Sequence, residues 1–379
     1  EPFFRLCYST TNEIYGQLQN YLPEIIMLII KSRLFYKIGI LIFLFLKLRW
    51  RDLFKLLLAK PKTKNINHNS NQNVYKEAGK TLVSIVQGDD IYVLIKEGIN
   101  LIGGLEKLDI KGKTVLIKPN IVNRYPSPAN TNPLVIKNLI KILHEYGVSK
   151  IFVGDMSAIF ALPTRKNAVK SGIWEAIGEE DMTFVSFEEY GWIEVDIPRG
   201  RFIKKAIVSE FIYNVDRVIN VPVIKTHSYA NYSISLKNFI GAIHPQQRPY
   251  FIAPDFWDEV IAELNAAYTP HLNILDGTKI FIKGGPTRGT VATPNLIIIT
   301  GDRVAADIVG LGVIRSFGGW EQLNNMDVWA QRQIKRAIEL HLGVSNPSEL
   351  KIVAECLGTD KSGFDELMEK IHHILYNAN

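Results

Sequence analysis

A chain of 379 residues, 47% hydrophobic and 22% charged, has the composition of a globular protein and length enough for one large core or two smaller ones. Its formal charge of +6 is not spread evenly: residues 1–64 hold 11 Lys and Arg against 4 Asp and Glu, and the rest holds 33 against 34. The basicity therefore belongs to the N-terminal segment, which speaks against a nucleic-acid-binding body, and the two cysteines, Cys7 and Cys356, lack the spacing for a zinc or iron–sulfur site within the chain.

The first 59 residues are apolar and basic, and we expect a helical membrane anchor there. Two apolar runs, 25–30 and 38–46, are separated by Lys31, Arg33 and Lys37. Neither run alone reaches the ~20 residues of a spanning helix, and the charges fall on both sides of a helical wheel. Three readings stay open: a spanning helix with snorkelling lysines, an interfacial helix or hairpin, and a helix pair packed on a partner protein. The expected partners are thus membrane lipid or a membrane protein complex. No small-residue cleavage site follows the run, so it does not read as a removed signal peptide. The sequence does not begin with Met. Basic residues from Lys47 to Lys64 flank the apolar stretch and favour a cytoplasmic body at the membrane. Residues 60–76 are polar and Asn-rich, and read as a linker.

Residues 77–379 alternate short β-branched runs with helical segments. The runs are TLVSIVQ, TVLIKPN, KIFVGD, RVINVPVIKTH, LNILDG and NLIIITGD, and helices are expected near 133–146, 235–244, 255–267, 303–311 and 328–341. Nearly continuous apolar strands between helices predict an α/β fold with a largely parallel sheet flanked by helices. Such sheets bind ligands beyond the carboxyl ends of their strands. Five runs end in polar residues: Lys118 and Asn120, Asp155, Lys225 and His227, Asp276, and Asp302 after Gly301. Each aspartate alone could be a helix cap; together they suggest one rim.

The stretch 220–242, NVPVIKTHSYANYSISLKNFIGA, concentrates this chemistry. Lys225 and His227 share one face of a strand. In a following helix Leu236, Phe239, Ile240 and Ile243 would pack inward, and Lys237, Gly241 and His244 would share another face. Such a cationic group suits a small anionic molecule. A lysine held among apolar walls and other cations could also serve as base or nucleophile. The alternative is a capping network with surface lysines. A glycine-rich element, KGGPTRGT, offers Gly285 and Arg288 as an anion nest or simply as a tight turn. It lacks the P-loop order, and no G-x-G-x-x-G, H-E-x-x-H or G-x-S-x-G motif occurs. His372 and His373 sit in a polar C-terminal helix and read as solvated.

These residues resemble the domain of unknown function 362 family. The likeness lies in VLIKPN, TNPLVIKNLIKILHEYG, FVGD, VINVPVIKTH with SLKNFIGA, LNILDG, GGPTRG and GDRVAAD, covering about residues 80–345. The resemblance implies an α/β fold, often fused to a ferredoxin-like iron–sulfur module. With two cysteines this chain departs there, and no such cluster is expected in it; its cofactor is unknown. Lys225 and His227 are also faintly similar to the lysine and histidine that serve a bound cofactor in the nickel-pincer lactate racemases.

Two expectations follow. In the first, the rim is an enzyme site. Lys225, His227 and Asp276 would be catalytic, with His227 as general acid–base and Asp276 or Asp155 orienting it or a metal. Lys118, Asn120, Asp155, Lys237, Asn238, Gly285 and Arg288 would bind the anion, and no metal ligand set is assigned. In the second, the fold is a non-catalytic, membrane-tethered accessory or assembly subunit.

Overall fold

A computed structural model of the chain describes residues 72–376 except 179 and 319. The expected anchor over 1–59 and most of the expected linker lie outside the described residues. Among those described, no helix is long and apolar enough to cross a membrane.

The chain enters the fold through Asn73, whose side chain accepts from the amide of Tyr75, and Tyr75 itself is buried. The first half comprises β1 (Lys76–Glu77), β2 (Lys80–Gln87), α1 (Ile91–Leu101), β3 (Thr114–Pro119), α2 (Pro133–Glu145), β4 (Lys150–Asp155), β5 (Thr183–Ser186), β6 (Trp192–Asp196) and β7 (Lys205–Ser209). Next come β8 (Arg217–Val221), β9 (Val223–His227), β10 (Asn231–Ser233), α3 (Ser235–Asn238) and α4 (Trp257–Asn265). The remainder holds β11 (Leu272–Gly284), β12 (Gly289–Ala292), β13 (Leu296–Thr300), α5 (Arg303–Ser316), α6 (Arg332–Glu339), β14 (Leu350–Cys356) and α7 (Lys361–Tyr376).

The main sheet is ordered β1–β2–β13–β11–β8–β3–β4–β5, and β14 lies parallel to β2. β11, β8, β3, β4 and β5 are mutually parallel. β13 is antiparallel to both neighbours, so β2 and β14 point the same way as that set. The fold is α/β with a largely parallel sheet, as the continuous apolar strands predict. Both faces are covered, and the side chains sort by the two-residue period. In β13, Ile297 and Ile299 enter the core under α1 and α2, while Leu296 and Ile298 enter the core under α4 and α5. In β3, Val115 and Ile117 go to the first core and Leu116 to the second.

Three expectations change. RVINVPVIKTH is not one strand: Pro222 has no N–H to give a ladder, and the chain breaks there into β8 and β9. Its carbonyl still accepts from the amide of Asp276. Because β13 runs backwards, Gly301 and Asp302 leave it at the opposite rim from Lys225. There Asp302 caps α5, accepting from the amides of Val304 and Ala305, and LNILDG does not end at Asp276, because β11 runs on to Gly284. The strand ends at the rim are those carrying Lys118, Asp155 and Lys225, with Asp276 beside them within β11. The helix expected over 235–244 is α only to Asn238, then a 3₁₀ turn over Phe239–Ala242. Pro245 disfavours helical geometry at His244, which is extended and caps the next short turn. Its ring packs edge-on against Trp192, 4.8 Å between centroids, and so does not continue the Lys237 face. Leu236, Phe239, Ile240 and Ile243 are buried, as their spacing predicts.

Candidate functional site

Lys118 and Asp155 end the adjacent parallel strands β3 and β4. Each is 2% exposed and they pair at 2.7 Å. The second carboxylate oxygen of Asp155 accepts from the amide of Ile121, also at 2.7 Å, which starts the loop beyond β3. Burial holds Lys118 below its ordinary pKa, more strongly than Asp155 raises it.

That loop, residues 120–132, is shaped by its own side chains. Asn130 accepts from the amide of Val122 and donates to the carbonyls of Asn123 and Tyr125. Thr131 accepts from the amide of Asn120 and donates to Val221. Asp276, in β11, pins the far end: it accepts from the amide of Asn132 at 2.7 Å and from the amide and hydroxyl of Thr278. Burial raises its pKa against those bonds. Asp276 therefore anchors the loop, and its hydrogen bonds do not run to His227.

The loop presents two acceptors to Lys225. Its Nζ donates to the side-chain oxygen of Asn120 and to the carbonyl of Ala129, each at 2.5 Å. Lys225 is buried, and desolvation first, then the charge of Lys237, lowers its pKa to about 7. Lys237, on α3, is half-buried with Nζ 5.7 Å above the ring of Trp257. Its pKa falls to about 8, through burial and then Arg248. His227 closes β9; burial, Lys237 and Lys225 hold it well below its ordinary value.

Asn238 lies beneath, donating to Asn220 at 2.8 Å and to the carbonyl of Lys118. Its own side-chain oxygen, and the hydroxyl of Thr226, are buried with no hydrogen-bond partner among the described residues. The structure thus brings together Lys118, Asn120, Asp155, Lys225, His227, Lys237, Asn238 and Asp276. Gly285 and Arg288 lie on the loop between β11 and β12: the amide of Gly285 donates to the carbonyl of Arg288, its carbonyl accepts from the amide of Ser228, and Thr287 between them accepts from Asn123 of the 120–132 loop. A Cβ at Gly285 would meet the carbonyl of Thr226 at 2.1 Å, so glycine there lets the loop seat on β9. Arg288 is exposed, over the ring of Tyr125 at 5.7 Å.

The sequence reading missed three contributors. Arg248, buried, donates to the carbonyls of Ser157 and Met156, and its charge lowers the pKa of Lys237 and, less than burial does, of Lys118. Trp257 packs near His227, 6.1 Å between centroids, and stacks with Tyr229 at 5.6 Å. Tyr229 is 74% exposed. The proline after Arg248 and the adjoining Trp in FWDEV were the only local signals.

Among the described residues no three His, Cys, Asp or Glu side chains gather as metal ligands. A cleft of about 1010 Å³ opens at the opposite rim, lined by Thr81, Tyr268, Asp302 and Arg303 among others. Asp302 is already a helix cap there, and Arg303 is spent on the carbonyls of Asn265 and Tyr268. Size alone does not make that cleft the chemical site.

A family model described as domain of unknown function (DUF362) matches residues 115–312, more than half of the chain. The chain belongs to this family. The DUF362 match spans every candidate site residue named above. A relative, the thylakoid-associated protein of Synechocystis sp., is 26% identical over 263 residues, covering 66% of this chain and 78% of its own. Among solved structures, the lactate racemase apoprotein from Thermoanaerobacterium thermosaccharolyticum aligns with a TM-score of 0.33 and 13% identity, over 52% of this chain. The alignment spans half of that racemase, and the likeness is too slight to bear on function.

Proposed function

We propose that this DUF362 protein binds a small anion where Lys225, Lys237 and His227 face one another, beyond the carboxyl ends of its parallel strands, and does acid–base chemistry there. One observation carries the reading. Lys118 has its carboxylate, but the hydrogen bonds of Lys225 go to neutral oxygens, while Lys237 repels the proton of Lys225 and both lysines repel that of His227. An anion among them would offset that repulsion and restore the charged forms. The unpartnered side-chain oxygen of Asn238 would add a polar contact or stay hydrated.

Isothermal titration calorimetry with inorganic phosphate, acetate and oxalate tests it. Binding near pH 8 should draw protons from the buffer, because an anion raises the pKa of Lys225 from about 7. Lys225→Ala should remove binding while circular dichroism shows the fold intact. Undiminished binding in that variant would overturn the proposal.

A second reading concerns location. The apolar runs of residues 1–59 and the thylakoid-associated relative support attachment of the chain to lipid or to a membrane protein complex, with the body on the cytoplasmic side. In that reading the fold serves as an accessory or assembly subunit, and an empty rim would favour it.

A further inference from the structure

This inference deepens the anion site just proposed and rests on it. After His227 the chain turns at once into β10. In that turn the backbone amides of Tyr229 and Ala230 both donate to Nδ1 of His227, each at 3.2 Å. A ring nitrogen that accepts N–H bonds bears no proton, so in the neutral ring the proton sits on Nε2, at the far edge. Protonating Nδ1 would set a third N–H against two others and deprive both amides of their acceptor. Ala230 is fully buried, so its amide would lose that partner away from water, which is costly.

Burial and two lysines act in the same sense, against a weaker contact with the backbone of His227 itself that favours the protonated ring. On its own strand the ring faces Lys225, and α3 contributes Lys237. The turn contributes the ring of Tyr229 and α4 that of Trp257. The nearby acids act on the lysines: Asp258 of α4 on Lys237, and Asp155 and Asp276 on Lys225.

We propose that His227 is a fixed, neutral hydrogen-bond donor that offers Nε2–H to an oxygen of the bound anion, and that Lys225 is the group that moves the proton. Lys225 is built for that exchange. Two of its N–H bonds go to Asn120 and Ala129 in either protonation state. The remaining tetrahedral position holds a proton in the ammonium form and a lone pair in the amine form, so the side chain need not move between them. In the step itself a C–H or O–H bond of the ligand breaks, its proton bonds to the Nζ lone pair, and the electron pair stays on the ligand. The resulting oxyanion is met by Nε2–H of His227. The reverse step returns the proton, and no oxidant or second reactant is consumed. The ligand class is a small anion with an acidic hydrogen beside an oxygen that can take charge.

The test is ¹⁵N-histidine and ¹³Cε-lysine NMR on the full chain, with His227 and Lys225 assigned by the loss of their signals in His227→Gln and Lys225→Met. His227 should show an unprotonated Nδ1 and a protonated Nε2, unchanged from about pH 5 to 8, while Lys225 titrates near pH 7. Calorimetry with the same three anions should find His227→Gln, which keeps an N–H at that reach, close to wild type. His227→Ala should weaken binding about tenfold, the scale of one hydrogen bond to a charged group. A proton on Nδ1, or titration of His227 in that range, overturns the donor role and leaves the anion site standing. Failure of all three anions to bind, with the tautomer as expected, overturns the anion site and the donor role with it.

Discussion

At Gly241 a single methyl would decide the fate of the Lys118–Asp155 pair. A Cβ there would stand 2.0 Å from the nearer Asp155 oxygen and 2.9 Å from Lys118 Nζ, so the 3₁₀ turn can close over the pair only with glycine. Gly241→Ala should push the two apart and lower the thermal midpoint, whereas a surface alanine would not. Asp155→Ala should cost about 3–5 kcal/mol in urea unfolding, because it leaves Lys118 buried without its counter-charge. Removing both charges together should cost less than the sum of the single losses, since the two share one interaction. Lys225 gives the opposite kind of prediction. Its pKa is lowered in the fold, so the unfolded chain binds the extra proton between about pH 7 and the ordinary lysine value of 10.5. Stability should therefore rise with pH through that window. In Lys225→Met this part of the slope should vanish. Across the window the contribution of Lys225 to that slope should be at most about 1.4 kcal/mol per pH unit, the value for one proton. A wild-type slope no steeper than the variant's would contradict the burial of that charge.

The site's elements are held by side chains remote from the ligand space, and the 120–132 loop is the case in point. Asp276 fastens it at Asn132, and the same loop supplies both acceptors of Lys225. Asp276→Ala should release the loop end, cost about 3 kcal/mol for the bonds lost to a buried carboxylate, and abolish anion binding without touching the anion. Asp276→Asn, which can still accept from the Asn132 amide, should retain part of both. This linkage was only half legible in the sequence. Asp276 was visible as a polar residue after an apolar run, but its partner lies 144 positions away, and no local pattern records that. His244 was misplaced for a similar reason: helical spacing put it beside Lys237, and the proline after it ended the helix first. The turn that fixes His227 was hidden because its donors are backbone amides, which any residue supplies. Arg248 and Trp257 reach the site through the fold and not through spacing. The strand ends themselves were readable, because Lys118, Asp155 and Lys225 interrupt otherwise apolar runs.

For the whole molecule, the alternation of apolar strands with helices made the α/β architecture legible, and the reversed direction of β13 could have been read as well. Between LNILDG and NLIIIT the chain has no helical segment, and a parallel return needs a crossover of a dozen or more residues, usually a helix. The chain instead hairpins through β12 and comes back antiparallel, which sends Asp302 to the other rim. The charge distribution belongs to this scale too. The body beyond residue 64 is nearly neutral and the first 64 residues are strongly basic, so any electrostatic attraction to an anionic lipid surface must come from the N-terminal segment. Apolar burial there should supply the larger part of the attachment, through runs that hold Phe43, Leu44 and Phe45. Mixed with vesicles containing anionic lipid and centrifuged through a density gradient, the full chain should float. It should still float at high salt, which screens the basic residues but not the apolar contact. Phe43→Asp combined with Phe45→Asp should leave it at the bottom of the gradient while anion binding at the rim is unchanged. If the full chain itself stays at the bottom but is recovered with membranes from its source, the segment docks on a membrane protein and not on lipid.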